Sequence, residues 1–219
     1  MATVSDIFSI AAHDEPALLI AALPTDTSPL DVRDGDGASL LLHCLYRGLE
    51  KNLAALRERC APLPLHEAAA LGADAAVSDA LIRAPDALRL LSPDGWSALH
   101  LAAFFGHAST VTLLLARGAD ANLWSRAFER NLPLHAACAG RAAKPDVVRA
   151  LIPATVDLDA RQGGGWTPLM LAAVNGMAAS VDLLIAAGAN AALVNDKGKP
   201  AAELARDEGH AALAARLAG

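Results

Sequence analysis

The chain has 219 residues, 54% of them hydrophobic but only 4% aromatic, with 24 acidic against 18 basic side chains and a formal net charge of −6. Much of the apolar share is alanine, and each alanine buries little area, so stability must come from many stacked short helices rather than one bulky core. The acidic balance argues against a phosphate-backbone binder, and no uninterrupted apolar run is long enough to cross a bilayer.

The N-terminal stretch MATVSDIFSIAAHDEPALL carries Asp6, Asp14 and Glu15 and no basic run, which is not the pattern of a secretory signal. Cys44, Cys60 and Cys138 are far apart and form no CxxC pair. They read as buried free thiols in a reducing compartment, so a cytoplasmic protein is expected. Export by a route that needs no cleaved signal is compatible with the same pattern. Two helices and a closing turn fill the first thirty-odd residues. A turn containing Gly37 then leads to a helix from Ser39 that Gly48 stops. The next helix, in LEKNLAALRERC, runs straight into the following one near Leu63 with no intervening turn. A break in the row is expected there, near Cys60 to Leu63.

The strongest pattern comes next. GWSALHLAAFFGHASTVTLLLARGADANL from Gly95 matches GWTPLMLAAVNGMAASVDLLIAAGANAAL from Gly165 over almost 30 residues without a gap. Between them, AGRAAKPDVV adds about two residues between two helices and brings Gly140 one position early. PATVDLD replaces the closing glycine. In the final unit Glu203, Arg206, Asp207, Glu208 and Arg216 supply the polar face that a terminal repeat requires.

The slot before each first helix falls at Ser39, Leu63, Ser97, Leu132, Thr167 and Pro200, at intervals of 24, 34, 35, 35 and 33. Alanine pairs mark the middle of first helices (Ala68-Ala69, Ala102-Ala103, Ala172-Ala173) and permit close approach. Second helices carry Val111, Leu114, Leu115 and Val181, Leu184, Ile185 at i, i+3, i+4. No unit can bury its own apolar face, but a stack can. On these motifs the chain resembles the ankyrin-repeat family along essentially its whole length. The resemblance implies an all-α solenoid of stacked helix-turn-helix units joined by short finger turns or hairpins. It would be one domain over 1–219 with about seven repeats: 1–34 as an N-terminal cap, 35–60 shortened, 61–92, 93–124, 125–160, 161–194, and 195–219 as a C-terminal cap.

Several features resemble chemistry and are better read as scaffold. His66, His100 and His135 occupy one slot of successive units, but equivalent residues in stacked helices sit roughly 8–10 Å apart, too far to share a zinc ion. In the family this histidine ties loops of neighbouring repeats. GDGASL at Gly35 has Leu40 where a dinucleotide loop needs its third glycine, and QGGGW at Gln162 lacks the lysine of a phosphate loop. Cys138, three residues after His135, occupies the alanine-pair slot and reads as core. Arg47, Lys51, Arg57 and Arg59 alternate with Glu50 and Glu58, as on a solvated helix face. No catalytic residue, cofactor or metal site is expected.

The family's partner-binding positions are the turn before the first helix, the residue after its glycine, the pair before the helix-ending glycine and the last residue of the repeat. The rare aromatics map onto those slots. Trp96 follows a turn glycine, Phe104 and Phe105 precede Gly106, and Trp124 closes that unit. Phe128, Trp166, Val174, Asn175, Tyr46, Arg47 and Leu71 extend the set, while Phe8 reads as core of the first cap. Aromatic side chains are what binding hot spots are made of. The resemblance therefore implies a non-catalytic module that binds a partner protein, a basic one by charge, through its groove and finger tips. The chain would be a monomer or weakly self-associating, with neither nucleic acid nor membrane as partner. Two other readings are an immunity protein neutralising a cognate bacterial toxin and a secreted effector acting on host proteins.

Overall fold

Local signals in the sequence set the ends of the helices. The hydroxyls of Ser39, Ser97 and Thr167 accept the N–H groups of Leu42, His100 and Met170, which satisfies donors that a helix start leaves open. Gly48 closes its helix in the left-handed conformation (φ +69°), where a side chain would be strained. The computed structural model describes residues 2–127, 129–140 and 144–218.

Among the described residues fourteen α-helices follow in seven successive pairs: α1 (Val4–Ala11) and α2 (Pro16–Ala22), α3 (Leu40–Arg47) and α4 (Glu50–Arg59), α5 (Leu65–Ala70) and α6 (Asp74–Arg83), α7 (Ala98–Phe104) and α8 (Ala108–Ala116), α9 (Pro133–Ala139) and α10 (Pro145–Leu151), α11 (Pro168–Val174) and α12 (Ala178–Ala186), α13 (Ala201–Asp207) and α14 (Ala211–Ala218). No strand is present among the described residues. The architecture is the all-α solenoid expected from the repeat pattern. One boundary differs. Pro64, not Leu63, precedes α5, because proline at that slot fixes φ and needs no N–H bond.

The alanine pairs of α5, α7 and α11 are buried, which lets successive first helices lie close. On the outer helices Val111, Leu114, Val181 and Leu184 are buried. The third member of each apolar triplet turns outward: Leu115 is half-buried and Ile185 is 41% exposed.

The apolar interior has two main parts. One runs through residues 65–214 and includes Leu99, Leu114, Cys138, Leu151, Leu169 and Leu184. The other holds Ile7, Leu19, Leu40, Cys44, Leu53, Leu56 and Cys60. A small third cluster of Ala38, Leu42, Ala70 and Leu101 lies across the boundary between them.

The loops before the first helices stack as fingers, main chain to main chain. Arg126 N–H donates to Gly95 O (2.8 Å), Gly163 N–H to Glu129 O (3.0 Å) and Asp196 N–H to Gly164 O (3.0 Å). No finger precedes α5, yet the row does not break there as the short interval predicts. The finger before α3 closes directly on the one before α7. A side chain added at Gly37 would place its first carbon 2.9 Å from Pro93 O. Removal of one finger brings its two neighbours into contact.

Candidate protein-binding surface

The adjacent phenylalanines part company at the end of α7. Phe104, on the last turn, packs toward the large core. Phe105, the capping residue, packs on the boundary cluster of Ala38, Leu42, Ala70 and Leu101. Consecutive helical residues diverge by about 100°, so each ring serves a different neighbour. The two rings still meet edge to face, with centroids 5.1 Å apart at 90°.

Tyr46 joins them from the last turn of α3. Its ring stacks on Phe105 (5.5 Å, 28°) and meets Phe104 edge-on at 6.2 Å. Its hydroxyl donates to Asp94 Oδ2 (3.0 Å). Burial and the neighbouring Asp94 carboxylate push the phenol pKa up, so it stays a donor. Trp96 completes the group, 6.4 Å from Phe104 and edge-on to His100 at 5.7 Å. All four aromatics are half-buried. They pack as one continuous set drawn from two helix pairs, α3/α4 and α7/α8.

The other predicted positions scatter. The Trp124 ring lies against His135 (6.0 Å) and makes no ring contact with the other four. It shares with Trp96, Tyr46, Asp94 and Arg126 a cleft of about 1510 Å³ along the fingers. Trp166 and Val174 pack on the large core. Asn175 is exposed, but its amide donates to Cys138 O (3.0 Å) and Leu171 O (2.9 Å). Leu71 packs on the N-terminal core, and Arg47 is exposed. Phe8 is half-buried against His43 (4.6 Å). Phe128 lies outside the described residues.

The histidines form two ladders of hydrogen bonds. His66, His100 and His135 donate through Nε2 to the carbonyls of Leu90 (3.1 Å), Asn131 (2.9 Å) and Ala160 (2.9 Å), each just ahead in the stack. His107 and His210 reach back to Ala70 O (2.9 Å) and Val174 O (3.1 Å). Carbonyls only accept, so Nε2 carries the proton. Burial lowers the pKa of His100 and His135 to about 4, and that of His107 more modestly. Burial likewise pushes the thiols of Cys44 and Cys138 up to about 12 and that of Cys60 to about 11. A protonated, enclosed Cys138 is a core residue.

Sequence reasoning missed three carboxylates near Tyr46. Asp94 accepts the phenol proton, Asp34 pairs with His43 Nδ1 (2.8 Å), and buried Glu67 accepts from Ser39 Oγ (3.0 Å). The shortened interval was the available signal, because skipping a finger brings Asp94 beside Tyr46. No helix among the described residues is long and apolar enough to cross a membrane.

Comparison with known proteins follows the same pattern. A family model described as "Ankyrin repeats (3 copies)" matches residues 32–124, 65–162 and 134–218. Human "Neurogenic locus notch homolog protein 2" is 44% identical over 108 residues, covering 49% of this chain and 4% of that protein. Human "Neurogenic locus notch homolog protein 1" is 32% identical over 179 residues, 80% of this chain and 6% of that protein. The Xenopus laevis "Neurogenic locus notch homolog protein 1" is 42% identical over 108 residues, 49% of the chain and 4% of that protein. The chain thus spans only a small part of the length of these curated relatives.

Proposed function

The chain belongs to the ankyrin-repeat family, and from that premise we propose that it is a non-catalytic module of seven repeats that binds a partner protein through its concave groove and finger tips. The observation that carries this reading is the set Tyr46, Trp96, Phe104 and Phe105: four of eight aromatics, half-buried and packed together. Rings that are already ordered lose little entropy when a partner covers them. Trp124, in the same cleft as Trp96, extends the surface toward the fingers. The net charge of −6 favours a basic partner.

The test is an affinity capture from the source organism with wild type, Trp124→Ala and Phe105→Ala as baits. Circular dichroism would first establish that each bait is folded. A protein retained by wild type and lost from both variants supports the reading. Equal capture by all three folded baits moves the binding site away from this surface.

A further inference from the structure

The two main cores meet at a weak seam. The N-terminal core comprises residues from α1 to α4 and ends at Cys60, whereas the large core begins at α5. Only the connection Cys60 to Pro64 links them along the chain, and no finger stands on it. Across the seam the joining contacts are few and specific. They are the Tyr46–Asp94 hydrogen bond, the Tyr46 ring contacts with Phe105 and Phe104, the close approach of Gly37 to Pro93, the Ser39–Glu67 bond, the packing of Leu63 and Leu71 on the N-terminal core, and the small apolar cluster beneath them. Elsewhere, fingers are stitched by backbone hydrogen bonds. Here the two fingers touch at Gly37 and Pro93, and the Tyr46 side chain, on the last turn of α3, supplies the bond to the finger before α7.

We infer that residues 2–60 open from residues 65–218 as one unit, with Tyr46 as the latch. Two helix pairs cannot bury enough surface to stand alone, since a stack needs at least about three. Detachment therefore melts α1 to α4 together, a sub-global opening at lower free energy than unfolding of the whole chain. The closed state stacks Tyr46 on Phe105, and opening takes Tyr46 out of the aromatic set. The latch thereby gates the partner surface, which is whole only in the closed state. This gating rests on the reading that the aromatics receive a partner, whereas the opening itself does not.

The buried cysteines report each side separately. Cys44 and Cys60 belong to the N-terminal core and Cys138 to the large one. All three thiols are enclosed and protonated, so a thiol reagent reaches them through opened states. The full chain is incubated with iodoacetamide at pH 8, and mass spectrometry follows each cysteine. Cys44 and Cys60 should be modified at one shared rate, at least tenfold faster than Cys138. Tyr46→Phe should speed both by about tenfold, the worth of one hydrogen bond to a charged group, and leave Cys138 unchanged. Asp94→Ala, which removes the acceptor instead, should do the same. A single rate for all three cysteines would overturn the proposal. So would rapid labelling of Cys60 alone, or variants that speed all three equally. Failure of the partner capture with normal labelling would remove only the gating.

Discussion

His100 Nε2 donates to Asn131 O across 2.9 Å, while its Nδ1 faces the Ser97 hydroxyl at 2.7 Å. His135 repeats the arrangement one pair further on, with Nδ1 accepting the Leu132 N–H. Both rings are fully buried and neutral, with pKa values lowered to about 4 by burial. A histidine of this kind binds fewer protons folded than unfolded. Its contribution is whole above the unfolded value of about 6.5 and is lost as pH falls toward 4. Each ring should forfeit about 3 kcal/mol across that window. Urea titrations at pH 7.5, 5.5 and 4.5 should give falling midpoints, with the slope reduced in His100→Gln. A flat profile between pH 7.5 and 4.5 would refute the assignment.

Gly140 follows α9 with an ordinary φ of −64°, so its lack of a side chain is not about backbone freedom. A first carbon there would collide with Phe104 O. Gly140→Ala should therefore destabilise by about 1–3 kcal/mol through steric conflict between α7 and α9. Thermal unfolding compared with Gly188→Ala separates the causes. Gly188 has open space around it but φ +100°, so it reports backbone strain alone.

Ser39 does two things at once. Its oxygen caps α3 by accepting from Leu42 N–H, and its proton goes to buried Glu67. Ser39→Ala should lose about 1 kcal/mol for the cap and a further ~1–3 kcal/mol for an orphaned buried acceptor. The double variant with Glu67→Ala should lose less than the two single losses added. Additive losses would mean that the pair is not coupled.

Asp14 belongs to the first helix pair yet caps the second. Its carboxylate accepts from Asn52 N–H (2.9 Å), while Asn52 Nδ2 donates to Ala11 O (2.8 Å). Asp14→Ala should destabilise by about 1 kcal/mol, and Asp14→Asn, which retains an acceptor, by less. Chemical denaturation of the two variants provides the comparison.

The repeat pattern was legible because it rests on local rules. Caps at Ser39, Ser97 and Thr167, alanine pairs and stopping glycines fall where the spacing places them. The aromatic surface was legible only in part. Trp96, Phe104, Phe105 and Tyr46 come together, but Trp124 packs on His135 instead. Slot arithmetic gives a residue's position in its own repeat and not the rotamer that sends its ring to one neighbour or another. The trans-pair role of Asp14 was not legible, since it depends on how two helix pairs dock. The expected gap near Cys60 to Leu63 closed because deletion of a finger leaves its neighbours free to touch.

The fingers before α7, α9, α11 and α13 are joined by bonds between main-chain atoms, and such bonds do not depend on residue identity. Away from the few glycines that make room and from Arg161, whose guanidinium donates to Val194 O (2.7 Å) on the next finger, side chains at the finger tips can change without loosening the row. Recognition is therefore free to drift while the scaffold stands still. The finger before α3 differs: it meets its neighbour where Gly37 approaches Pro93, and its helix is held to the finger before α7 by one side chain, that of Tyr46.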